Sequence, residues 1–339
     1  MTVGGPPLIT SSRVRLTALL IAAGIAGVLL GTAIVAARPA PGLPDPGVVI
    51  EAGLPIVRVL LDLSGLITVG LCVLPLLIGA DRPEPAEPVL ARSRVWAAAS
   101  SLVWATCTLV LLVLQTAQLH PGRNVSFAAI GSYISELGAG KALLVVIVSA
   151  LVCTGLALRI GESLPAELRA AVSLLALLPL PVTGHAMDWR WHDLAMVSME
   201  LHVLGATAWT GGLFAVIALV AGNRALLADV LPRFSKLATV CLVVVAATGL
   251  VNGIAEVVLT PPGRDLISGL FGTGYGRLVA GKVLCLLGLA ALGGNIRFRL
   301  LPAIIQRKPT ALLRWAALEL TVMGVAFGFA VVLTHAPVA

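Results

Sequence analysis

Nine long stretches nearly free of charge recur along this chain, at 16–37, 55–79, 95–116, 140–160, 168–183, 196–221, 236–258, 276–297 and 312–334. An α-helix rises 1.5 Å per residue, so about 20 residues cross a hydrocarbon core ~30 Å thick. In that core every backbone N–H and C=O has to be satisfied within the chain, which leaves only helices and closed barrels. The stretches are continuous and lack the alternation of barrel strands. They predict an all-α polytopic integral membrane protein with about nine transmembrane helices, one transmembrane domain over 1–339. Composition agrees, with 58% hydrophobic and 12% charged residues, against about 25% charged in soluble domains. The shortest stretch, 168–183, ends in Pro179 and Pro181, which cannot donate to a helix. The first is longer than a signal-peptide core and reads as a helix, although Arg13 and Arg15 precede it.

Orientation follows from the basic residues. Most of the 23 lysines and arginines fall in loops on the N-terminal side, among them Arg82, Arg92, Arg94, Arg159, Arg169, Arg224, Arg233, Lys236, Arg307 and Lys308. That bias predicts N-in, C-out. The loop at 80–94 reads as a Pro-rich extended linker, and 126–137 as a short surface helix. Arg58 and Asp62, four residues apart, are expected to pair within the second helix. Lys282 either snorkels or meets Glu256. Gly27 with Gly31, Gly211 with Gly212, and Gly324 with Gly328 allow close helix contacts.

The net charge of +7 belongs to these loops. No dense basic tract points to nucleic acid. No nucleophile–base pair, nucleotide loop or dinucleotide fingerprint is present, so no enzyme activity is expected. The five cysteines (Cys72, Cys107, Cys153, Cys241 and Cys285) lie inside apolar stretches without a CxxC and read as small core residues.

Histidine placement is the most informative chemical signal. On this topology His120, His185, His192 and His335 lie at or beyond the outer surface, and His202 lies about two turns into the sixth helix from that side. Three of the five methionines share the window 183–214. A helix starting near His192 puts His192, Met196 and Met199 within about a 60° arc, with His202 about 60° further round. The ladder descends roughly 15 Å, with His185 and Met187 in the loop above it. Thioether favours Cu(I) and imidazole accepts Cu(I) or Cu(II), whereas magnesium or calcium would call for oxygen ligands. The predicted metal ligands are therefore His185, Met187, His192, Met196, Met199 and His202. Asp193 caps the helix or orients His192, and Glu200 stands beside the ladder. His335 and Glu319 are further candidates, since an intramembrane ionisable group is a functional hypothesis by default.

The same window resembles the CopD (copper resistance protein D) family. The resemblance is carried by TGHA at 183–186, HDLA at 192–195, His202 and WTGGL at 209–213. It continues in RFSKLATVCLVVVAATGLVN at 233–252, YGRLVAGK at 275–282, and Glu319, Leu320 and Met323. A CopD-like core is placed at about 183–335, with 45–180 similar mainly in helix count. The likeness is to the actinobacterial type, in which a CopD half is fused to a cytochrome oxidase assembly (CtaG-like) module. It supports His185, His192, Asp193 and His202. Met196, Met199 and the stretch around His335 depart from the family pattern, so the methionines rest on ligand chemistry alone.

The resemblance implies a multi-pass protein of the bacterial plasma (inner) membrane that takes up or delivers copper from the extracytoplasmic side. Membrane lipids, copper ions, an extracytoplasmic copper carrier or oxidase assembly components would be its partners. Two other readings stand beside it: a haem-binding electron-transfer protein, with paired histidines as axial ligands, and an oxidase assembly factor.

Overall fold

The computed structural model describes residues 8–35, 47–79, 86–122, 124–159, 164–183, 192–259, 265–334 and 336, and all regular structure among them is helical. The order is α1 (Leu8–Val35), α2 (Val48–Ile78), α3 (Glu87–Leu119), α4 (Phe127–Glu136), α5 (Gly138–Leu158), α6 (Ala166–Leu175) and α7 (His192–Ala215). Then come α8 (Arg224–Ile254), α9 (Leu266–Gly272), α10 (Gly274–Asn295), α11 (Leu301–Ile305) and α12 (Leu312–Leu333). π-helical turns extend α7 through Val220 and α8 through Leu259, and join α10 to α11.

Eight helices among the described residues are long and apolar enough to span a membrane. The stretch 168–183 corrects the expectation of nine. Its helix stops at Leu175, followed by turns and a 3-10 turn over Leu180–Thr183. The cause is local: Pro179 has no N–H to give the Leu175 carbonyl, and its ring would collide with that oxygen.

The chain still crosses the bundle there. Gly212 of α7 packs on the Phe234 ring of α8. One residue away, Arg233 Nη1 donates to the Leu77 carbonyl at 3.1 Å and to that of Ile78. The C-terminal ends of α2 and α7 thus lie together, and the two helices run parallel. Since α3 and α5 reverse in between, the segment after α5 has to return before α7 can begin.

α2 is the axis of the bundle. It packs against α3, α7, α6 and α1, and most of its central span is buried, whereas almost none of α8 or α10 is. Trp104 of α3 is fully buried over Gly65. Polar side chains bridge the same helices: Thr68 to Ser100 at 2.8 Å, Ser93 to the Leu71 carbonyl at 2.7 Å, and Ser101 to Thr154 of α5 at 2.8 Å. Buried hydroxyls of this kind are satisfied either by a neighbouring helix or by their own preceding turn. The expected Arg58–Asp62 pair is present, with Nε and Oδ1 3.3 Å apart.

Glycines set the closest approaches. A methyl group at Gly27 would run into the Val325 backbone, and one at Gly328 into Gly24 and Gly27, so α1 and α12 meet backbone to backbone. Gly70 and Gly211 do the same for α2 and α7. The surface helix expected at 126–137 is α4. Ser126 caps it by accepting from the Ala129 N–H at 3.2 Å, Phe127 stands out into the surroundings, and Tyr133 donates to Gln115 at 2.9 Å.

Candidate metal centre

α7 is helical from His192 onward among the described residues, so the ladder positions share one helical register. Met196, Met199, Glu200 and His202 are all half-buried along its first turns. α8 returns antiparallel along this face: Gly212 meets Phe234, Gly205 meets Val245, and His202 meets Thr248. Two ladder residues therefore face α8 and reach polar groups there. His202 Nδ1 lies 3.0 Å from Thr248 Oγ1, and Asn252 Nδ2 approaches Met199 Sδ at 3.9 Å. Ser198 donates to the Thr248 carbonyl at 3.3 Å.

The hydrogen-bond network around His202 is consistent with one tautomer. A hydroxyl has one proton, and Thr248 Oγ1 directs its own to the Val244 carbonyl at 2.6 Å. It is left to accept from the imidazole, so Nδ1 carries the ring proton. The Val245 carbonyl, 3.4 Å from the same hydroxyl, is a second acceptor in reach of the ring. Nε2 then keeps its lone pair. A histidine that donates through one nitrogen and offers the other is the arrangement a metal ligand needs. The charge of Lys282 on α10 also acts on His202.

Glu319 lies deeper, on α12. Its side chain is buried, and its Oε1 is 3.6 Å from where a side chain at Gly293 of α10 would start. Antiparallel packing of α10 on α12 puts it level with Gly293, whereas Gly253 of α8 meets Val279 of α10 and so sets Thr248 and His202 level with about residue 284 of α10. It is therefore roughly 15 Å further along the bundle, too far to share an ion with His202.

His185, Met187 and His335 lie outside the described residues. His192 and Asp193 are placed by backbone alone, at the first turn of α7. Among the described residues no three His, Cys, Asp or Glu side chains converge. The structure thus brings Met199 and His202 to one face and leaves Glu319 apart. Thr248 and Asn252 were missed from the sequence. The signal was there: two polar residues four apart in the otherwise apolar stretch 240–254 fall on one stripe.

Two family models match the chain. One, described as Copper resistance protein D-like, N-terminal domain, matches residues 49–192. The other, described as Copper resistance protein D, matches residues 228–333. Together they cover most of the chain, and the likeness reaches well N-terminal of the motifs at 183–335. No curated protein and no solved structure matches.

Proposed function

Because this chain belongs to the copper resistance protein D family, we propose that it binds copper through Nε2 of His202, with Met199 beside it, and carries the ion into or across the membrane. A multi-pass membrane protein with a role in copper resistance or handling is what the family and the helices give together. The observation that carries the finer reading is the Thr248 hydroxyl, committed to Val244 and so holding His202 in the ligating tautomer.

His192 and Met196 stand above His202 on α7, and His185 and Met187 are the entry residues ahead of them. Asp193 orients His192. Glu200, about 100° from Met199 on the helix, adds negative charge near the path without joining it. The lysine and arginine bias puts this end of the bundle outside the bacterial plasma membrane, where a carrier or an oxidase assembly component would hand over copper. His335 and Glu319 are further stations on the same reading.

Elemental analysis of the purified chain tests it together with one pair of labels. Copper should co-purify, and His202→Ala should lose it. Cysteines placed at Asn124 and Gly222 in a background without the native cysteines should be labelled from outside and from the cytoplasm respectively. A copper-free parent protein refutes metal handling, and outside labelling at Gly222 puts His202 on the wrong side.

A further inference from the structure

At the end of the bundle away from His192, α2, α3, α5 and α6 surround a cavity of about 20 Å³. That is room for roughly one water molecule or one small ion. Cys72 of α2 and Cys153 of α5 both line it, together with Ser93, Arg94 and Arg169. The two cysteines share the wall of this one cavity, and Ser173 of α6 stands beside Cys72. Both cysteines are free. They sit on different helices, 81 positions apart in the sequence numbering, and each is otherwise an unremarked apolar-stretch residue.

We propose that Cys72 and Cys153 form a second metal site, a two-thiolate site for Cu(I), at the opposite end of the protein from His202. Thiolate sulfur is a soft ligand that selects Cu(I), Zn²⁺ or iron–sulfur clusters. Zinc takes four ligands, and no third Cys, His or carboxylate converges here among the described residues. Cu(I) is stable with two ligands in line. Binding replaces two S–H bonds by two Cu–S bonds and releases two protons to water. No electron moves, because the ion enters as Cu(I). The complex bears one net negative charge, and the Arg94 and Arg169 guanidiniums at the cavity offset it.

Depth gives the pair a place in the path. Gly211 meets Gly70, so His202 is level with about residue 61 of α2. Cys72 is roughly 15 Å further along. An ion that enters among imidazole and thioether would meet thiolates nearer the other surface. On the proposed orientation that surface faces the reducing cytoplasm, which keeps thiols free.

Anaerobic titration of the full chain in detergent with Cu(I), against a chromogenic Cu(I) chelator, tests this. The Met187→Leu, Met196→Leu, Met199→Leu protein should still hold a Cu(I) with sulfur in its X-ray absorption shell. Adding Cys72→Ser and Cys153→Ser should remove that sulfur and about one Cu(I) per chain, while Cys241→Ser changes neither. A second readout needs no substitution. In weak buffer the unsubstituted chain should release about two protons for the thiolate-bound ion, whereas neutral imidazole and thioether release none. An unchanged sulfur shell in the cysteine variant, or uptake without protons, overturns the site. His202→Ala separates the readings: it should lose the imidazole-bound ion and keep the thiolate-bound one. If the unsubstituted chain takes up no Cu(I), both readings fall; if it takes up only an imidazole-bound ion, the cysteine site falls alone.

Discussion

On the side toward α2, α7 presents Gly211 to the backbone of Leu66 and Gly70, with no side chain between them. On the side toward α8 it presents Ser198, Met199 and His202 to Thr248 and Asn252. Gly211 and His202 are nine residues apart, half a turn round the helix. In a membrane there is little hydrophobic gain from joining two helices, so contact comes from close backbone packing or from hydrogen bonds. α7 uses one on each face. The first face fixes where the helix stands; the second spends its contacts on orienting Met199 and His202, the two side chains proposed as ligands. A change to the first should act through folding, and a change to the second through metal affinity.

Breaking the packed face should have the largest effect. Gly211→Leu forces a side chain into the Leu66 carbonyl and should cost about 3 kcal/mol or more, with little folded protein recovered by size exclusion. Gly212→Leu is the milder partner, because its neighbour is the movable Phe234 ring, 3.1 Å from the position a Cβ would take; a loss of ~1–2 kcal/mol in a thermal melt is expected. If Gly212→Leu proved the more damaging, the division of α7 into two faces would be wrong.

On the other face the order is set by ligand chemistry. His202→Ala should lower copper affinity by about 100-fold or more, in both oxidation states, with a melting temperature close to the parent's. Thr248→Val keeps the shape and removes the hydroxyl acceptor for Nδ1–H, leaving only the Val245 carbonyl in reach. It should weaken copper binding by ~10–100-fold, and by much less when His202 is already alanine, since residues in one network do not add. Met199→Leu should have the smallest effect. It should weaken Cu(I) more than Cu(II) in competition titrations, at a stability change below ~1.5 kcal/mol.

The span pattern was legible because twenty apolar residues admit few alternatives in lipid, and eight of the nine stretches became long helices. The exception was legible in part. Pro179 and Pro181 marked where the helix would fail, but not that it would end as early as Leu175. Gly27, Gly211 and Gly328 were read correctly as contact points, since a residue without a side chain on an apolar helix has few other uses. Which helix each would meet depended on tertiary arrangement, and no local pattern encodes that α1 lies on α12. The ladder proposed along α7 rests on helical spacing. Thr248 and Asn252 could not be joined to it without knowing that α8 returns along that face. Cys72 and Cys153 show the same limit more sharply: each alone is a small core residue, and only the shared cavity makes them a pair.

The central claim is that His202 ligates copper through Nε2 while Thr248 holds Nδ1–H. Pulsed electron paramagnetic resonance of the Cu(II)-loaded chain reads the remote nitrogen of a bound imidazole directly. The account predicts a remote-nitrogen signal in the parent protein, loss of one such contribution in His202→Ala, and a shifted quadrupole splitting in Thr248→Val, where the same nitrogen has lost the Thr248 hydroxyl as its acceptor. One unaltered spectrum shared by all three proteins would contradict it.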